Sequence, residues 1–201
     1  VPKLLNLFDD RKIKATFFFF FSLLHKYEDL IKQISKKHEI ACHSWSHGYL
    51  NKFTDKEIEN ELDKAAKPFK DTKLKVVGFR SPRFMAHPRL GELLVKNGFK
   101  YDASLNSAFL PGRYKAVKHN KPYLADKHDL RRKGKDIIEV PMSSFTIFRF
   151  PASGLMWYRI MHPFSKMFSA NFYITYIHPF EFMDKLPKGH SRSFVNKLMR
   201  R

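Results

Sequence analysis

The stretch Glu39-Ile40-Ala41-Cys42-His43-Ser44-Trp45-Ser46-His47 frames the whole chain. A short apolar run ends, and two imidazoles follow, four residues apart. The run has the length and composition of a buried strand. On a helical turn, a four-residue spacing puts both rings on one face. Two such nitrogens can share a metal ion about 2 Å from each. The chain holds ten histidines, so the pair also has a chance origin to compete with.

Outward from this stretch, strands and helices alternate. Upstream, Pro2 to Asp10 reads as a short amphipathic helix with Pro2 in its first turn and Leu4, Leu5 and Phe8 on one side. Lys14 to Phe19 reads as a Phe-rich strand buried on both faces, and His25 to Lys37 as a helix carrying Leu30, Ile31 and Ile34. Downstream, Thr54 to Lys70 is expected to be helical, with Thr54 and Glu57 as a capping box and Ile58, Leu62 and Ala65 or Ala66 as the buried stripe. Val76 to Phe79 is a third strand. Pro88 to Asn97 is a helix stopped by Gly98, and Phe99 to Tyr101 opens a fourth strand. Short connections between alternating elements predict parallel βα units, in a barrel or a doubly wound sheet. Residues 105 to 136 break the rhythm and read as a basic surface insertion, with Arg131-Arg132-Lys133-Gly134-Lys135 its densest cluster. Ile137 to Val140 and Phe172 to Ile177 are further strands. Leu155 to Phe168 and Ser191 to Arg201 are helical candidates. No repeat or linker divides residues 1 to 201, so one domain is expected.

Composition narrows the class. Among 201 residues, 43% are hydrophobic and 15% aromatic, which describes a globular chain with a real core. One cysteine, Cys42, excludes an internal disulfide framework and fits a cytoplasmic location. The apolar run Ala15 to Leu24 is shorter than the roughly 20 residues a bilayer span needs, so no transmembrane segment is expected. The net charge of +19 implies attraction to polyanions: an anionic glycan, a membrane surface in a peripheral association, or nucleic acid. Nucleic acid is the least favoured of these, because no binding motif or aromatic interleaving accompanies the basic stretch.

Polar residues gather where the strands end. His43 and His47 follow the second strand, Arg80-Ser81-Pro82 the third, Asp102 ends the fourth, and His178-Pro179 follows the last. In βα barrels the working residues occupy the C-terminal ends of the strands. Each residue has a structural explanation of its own, as a surface charge, a turn former or a satisfied histidine. Their common position argues for a site.

Taken in order, Ala15-Thr16-Phe17-Phe18, His43-Ser44-Trp45-Ser46-His47, Gly78-Phe79-Arg80-Ser81-Pro82, Tyr101-Asp102-Ala103-Ser104 and Ile177-His178-Pro179 resemble the successive motifs of the polysaccharide deacetylases, from residue 2 to about 184. The closing part, with Arg159, Pro163 and His178-Pro179-Phe180-Glu181, is most similar to the branch found in exopolysaccharide biosynthesis loci. The resemblance implies a distorted, incomplete TIM-like (β/α) barrel and metal-dependent removal of N-acetyl groups from the amino sugars of a glycan. It implies His43 and His47 as metal ligands, His178 as the general acid, Asp102 as the carboxylate that orients it, and Arg80 as the partner of the catalytic base. Zinc suits the histidines, and cobalt, nickel or manganese could occupy such a site.

The family also carries an Asp-Asp motif that supplies the base and a third metal ligand. Asp9-Asp10 is not that motif: it ends a helix and lies only six positions before Thr16. The pair, with the first βα segment, is expected upstream of Val1. The 201-residue chain alone is therefore expected to show little activity and weak metal affinity. An inactive glycan-binding relative and, less favoured, a basic nucleic-acid binder are the competing readings.

Overall fold

The computed structural model describes residues 1–71, 74–108, 117–144, 149, 154 and 174–182. Helix α1 (Pro2–Asp10) leads into β1 (Thr16–Phe19), α2 (Glu28–Ser35), β2 (Glu39–Cys42), α3 (Asp55–Asp71), β3 (Gly78–Phe79), α4 (Leu90–Lys96), β4 (Tyr101–Asp102), β5 (Tyr123–Asp126), β6 (Asp129–Lys133) and β7 (Ile137–Glu139). Seven strands form one open sheet in the order β1-β2-β3-β4-β7-β5-β6. Strands β1 to β4 and β7 run parallel, while β5 lies antiparallel to both β7 and β6. This mixed α/β architecture matches the expected open, incomplete barrel.

The helices cover one face of the sheet. Ile31 and Ile34 of α2, Ile58, Leu62, Ala65 and Ala66 of α3, and Leu90, Leu93 and Leu94 of α4 bury against Ile40, Cys42 and Phe79. Burial of these side chains is the main stabilising term, about 1.5–3 kcal/mol for each large one. Thr54 caps α3 as expected. Its backbone N–H donates to Glu57 Oε2 at 2.7 Å, and the Glu57 N–H returns to Thr54 Oγ1 at 3.3 Å. Gly98 ends the turn after α4 with φ +83°, a conformation only glycine adopts without strain.

On the open face, three strands share one carboxylate. Glu39 accepts from Thr16 Oγ1 at 2.6 Å and from the Tyr101 hydroxyl at 3.0 Å. Tyr101 must cross β3 to reach it, and β3 offers Gly78 there. A Cβ at residue 78 would stand 2.1 Å from the Tyr101 ring, so the close approach requires glycine.

Four expectations change. β1 is half-buried rather than buried on both faces, because it pairs with β2 alone among the described residues and forms the sheet edge. The third strand is Gly78–Phe79, not Val76–Phe79: Phe79 pairs with Cys42 and Asp102, Gly78 pairs with Tyr101, and residues 76 and 77 have no ladder partner. Within the stretch read as a surface insertion, β5 and β6 form a hairpin that extends the sheet, burying Ala125 and Leu130. Residues 174–177 are not a strand, although Ile174 hydrogen-bonds Ser143. The helical candidates 155–168 and 191–201 lie outside the described residues.

Candidate active site

The two histidines do meet, but not on a helical turn. Residues 43–47 form a bent loop in which Ser44 and His47 have φ of +71° and +62°. Such values strain non-glycine residues and persist only where the surroundings impose them. Here the imposing group is Glu61 of α3, which is 7% exposed. Its Oε1 accepts from Ser44 Oγ at 2.5 Å, the Trp45 N–H at 3.1 Å, the Ser46 N–H at 2.7 Å and Ser46 Oγ at 2.9 Å. The sequence reading missed Glu61. Its one signal was an acidic residue between Ile58, Leu62 and Ala65 on a buried stripe.

So held, the imidazoles of His43 and His47 have centroids 5.6 Å apart and planes at 65°. His43 Nδ1 lies 2.6 Å from the Arg80 carbonyl oxygen. A carbonyl only accepts, so Nδ1 carries the proton and donates, which assigns the lone pair to Nε2. Burial, with the Arg80, His47 and His178 charges adding to it, pushes the His43 pKa down to about 3. Burial and the Arg83 charge also lower that of His47. Both rings are therefore suited to be neutral at ordinary pH, the form that ligates a metal.

The Phe run builds the wall behind them. Strand alternation sends Phe17 and Phe19 toward the core and Phe18 and Phe20 toward the site. Phe20 stacks on His43 at 5.1 Å and meets His47 edge-on at 4.4 Å. The Arg80 guanidinium lies 4.1 Å over Phe18, and its Nε donates to the Ala103 carbonyl at 3.1 Å. Burial lowers the Arg80 pKa to about 10. It stays cationic at neutral pH.

Asp102 occupies a different place. In register, Asp102 sits beside Phe79 and Glu139, whose side chains alternate to the face opposite that of Arg80. It is fully buried and accepts from Ser104 Oγ at 2.5 Å. Glu139, also fully buried, accepts the Leu105 N–H at 3.1 Å. The remaining oxygens, Asp102 Oδ2 and Glu139 Oε2, are buried and have no hydrogen-bond partner among the described residues; burial and the Asp102 charge raise the Glu139 pKa well above the carboxylate range, which favours its protonated form. The carboxylate that meets His178 is Glu181. Its Oε2 accepts the His178 N–H at 2.6 Å and stands 3.9 Å from Nδ1. His178 is half-exposed at the start of the short turn Pro179–Phe182.

Asp9 and Asp10 end α1, and Asp9 pairs with Lys37 at 2.9 Å. Both precede β1, toward the end of the strands opposite the histidines. The described residues hold no cluster of three or more His, Cys, Asp or Glu suited to a metal. They supply two neutral imidazoles with a converging geometry, and no third ligand.

The family profile described as polysaccharide deacetylase matches residues 1–101. Over 107 residues the chain is 34% identical to a peptidoglycan deacetylase of Helicobacter pylori, covering 52% of this chain and 36% of that one. Over 72 residues it is 38% identical to chitin deacetylase 1 of Cryptococcus neoformans, covering 35% of this chain and 15% of that one. The chain thus spans about a third or less of these two relatives. A solved structure from Mycobacterium smegmatis, assigned to the polysaccharide deacetylases, superposes with a TM-score of 0.57 at 24% identity, over 71% of this chain and 45% of that one, and shares its fold. With half of its length matched by the family profile, this chain belongs to the polysaccharide deacetylase family.

Proposed function

We propose that this chain is part of a hydrolase that removes N-acetyl groups from the amino sugars of a polysaccharide, with a divalent metal held by His43 and His47. The observation that carries the reading is the His43–Arg80 hydrogen bond at 2.6 Å, which commits Nδ1 and leaves Nε2 as a ligand beside His47. The pair fits two corners of a zinc site, and the same imidazoles would accept cobalt, nickel or manganese. When bound, such an ion polarises an acetyl carbonyl and lowers the pKa of water.

The protein groups divide the remaining tasks. His178, half-exposed, is suited to hand a proton to the departing amine, and a carboxylate beside it favours the imidazolium form. Glu181 is better placed for that role than Asp102, whose contacts run to Ser104 and Glu139. Arg80, fixed between Phe18 and the Ala103 carbonyl, would hold a catalytic carboxylate ionised. Phe18 and Phe20 exclude water behind the histidines.

The test is metal content. The 201-residue chain should retain zinc above the level of a His43→Ala, His47→Ala variant of equal helicity, and equal retention would end the reading. Acetate release from N-acetylated chitooligosaccharides should be slight for this chain alone, because its described residues hold no group of three side chains suited to a metal. The same lack favours a second reading, a glycan-binding relative without catalysis. Glycan binding that needs no metal and ignores the histidine substitutions would select it. The net charge of +19 supports an anionic glycan or a membrane surface as the place of work.

A further inference from the structure

The turn after β3 is bent in a way its residue types resist. In Pro82–Phe84, Arg83 has φ +57° and ψ +13°, and Phe84 has φ +60°. Glycine takes such angles freely, whereas an arginine and a phenylalanine are strained by them. Buried hydrogen bonds impose the bend. Ser81 is fully buried; its N–H donates to Ser104 Oγ at 2.7 Å and its hydroxyl donates to the Met85 carbonyl at 2.7 Å. The Phe84 N–H closes the turn on the Ser81 carbonyl at 3.2 Å. Strain kept at a position that glycine would relieve points to a task for the side chain.

The Phe84 ring touches two parts of the candidate site. The Arg80 guanidinium lies 5.6 Å over it. The Tyr176 ring meets it with centroids 5.2 Å apart and planes at 56°. Tyr176 in turn meets His178 edge-on at 5.4 Å, and Phe180 stacks on His178 at 4.9 Å with planes 17° apart. A row of contacts therefore runs from Arg80 through Phe84 and Tyr176 to His178. Edge-on and offset-stacked rings fix one another's orientation. That matters for His178 in particular. It is half-exposed and follows a stretch that is not a strand, so no sheet ladder aims its ring. It is also near enough to His43 for its charge to lower that histidine's pKa.

We propose that Phe84 is a positioning residue for His178: the left-handed turn seats its ring against Tyr176, and Tyr176 holds the imidazole in place near the His43–His47 pair. Phe84 touches no reacting atom and acts through Tyr176. The same ring shares Arg80 with Phe18, which the guanidinium covers at 4.1 Å, so one side chain links the cation after β3 to the histidine of the last described segment. This inference rests on the reading of His178 as the proton donor given above and deepens it. A donor must be held within reach of the departing amine, and a misplacement of about 1 Å costs on the order of 10²-fold in rate.

The experiment reads His178 directly, by NMR of the histidine ring C–H groups in the full 201-residue chain, with His178 assigned by the signal lost in His178→Gln. Ring currents from Phe180 and Tyr176 should displace that signal from the position of an exposed histidine such as His128. Phe84→Gly suits the backbone angles and removes the ring, so it should lose most of the displacement. Phe84→Tyr keeps the ring and should preserve it. His38, buried against Phe8 and Phe17, reports the fold, and its signal should stay put in both variants. Zinc retention in Phe84→Gly should match that of the unaltered chain. No displacement in the unaltered chain, or a displacement that survives in Phe84→Gly, overturns the positioning role and spares the deacetylase reading. Movement of the His38 signal along with that of His178, or an equal loss in Phe84→Tyr, assigns the residue to general packing and overturns the role too. If the unaltered chain retains no more zinc than its His43→Ala, His47→Ala variant, the deacetylase reading falls, and the His178 signal still decides whether Phe84 holds that ring.

Discussion

The two ends of the sheet are held together in different ways. At the N-terminal ends of the strands, regular ladder bonds set the register and Glu39 ties β1, β2 and β4 from a single point. At the C-terminal end beside the histidines, the backbone leaves the ladder. Strained residues at 44 and 47 are held instead by Glu61, reaching across from a helix. One carboxylate reinforces what the backbone already specifies. The other supplies a shape the backbone would not take. Stability and function are therefore separable in this molecule, and the two carboxylates are the handles for separating them.

The largest effect should come from Glu61. Glu61→Ala leaves two backbone N–H groups and two hydroxyls of residues 44–46 without their acceptor. Breaking so buried a charged network costs about 3–5 kcal/mol. Chemical denaturation should show that loss. Glu61→Gln keeps an acceptor oxygen and should recover most of the stability, with zinc affinity still reduced about 10–100-fold, as for groups that orient a ligand. A Gln variant with unchanged zinc affinity would make Glu61 a fold element like Glu39, and the contrast between the two ends would collapse.

A smaller effect is expected at the other end. Gly78→Ala puts a methyl group where the Tyr101 ring passes, 2.1 Å away. Overpacking of this kind costs about 1–3 kcal/mol, and it should displace Tyr101 from Glu39. Zinc binding should survive wherever the variant is folded, because the histidines are anchored through Glu61. Coupled loss of stability and metal would show that the two ends act as one unit.

How much of this was legible depended on how local the cause was. β2 spans Glu39–Cys42 as expected, since four apolar or half-buried residues between a helix and a polar turn carry their own signal. α3 is equally legible from Thr54, Glu57 and the stripe Ile58, Leu62, Ala65. The histidine spacing was legible as a pair but suggested a helical turn, because the force that bends the loop comes from Glu61, far along the chain. The strand Asp129–Lys133 was illegible for a related reason. Its charged residues suit a sheet edge, where Lys and Arg discourage further pairing, and the sequence does not say which strand will be at the edge. The partners of Asp102 and His178 follow from strand register and a one-turn contact, and residue type alone conveys neither.

The smallest expected effect concerns the acidic pair, which belongs to neither end. Asp102 and Glu139 are adjacent in register and fully buried on the helix-facing side. Burial raises both pKa values, that of Asp102 to about 6, and the Asp102 charge raises that of Glu139 further, while the Ser104 hydroxyl and Glu139 partly offset the rise at Asp102, and the Leu105 N–H and the Arg80 charge that at Glu139. A carboxyl whose folded pKa exceeds its unfolded one binds its proton more tightly in the folded state. Its contribution is then fully present below the unfolded value, about 4, and is lost as pH climbs through the raised folded value. Stability should therefore decline from mildly acidic toward neutral pH, opposite to the trend of salt-bridged carboxylates. Glu139→Gln keeps a donor toward Asp102 and cannot ionise, so it should flatten that decline while changing stability at pH 4 by less than about 1 kcal/mol. Denaturation midpoints measured across the range will show this. If the slope persists in Glu139→Gln, the proton is not held between β4 and β7, and Asp102 becomes free to serve the open face after all.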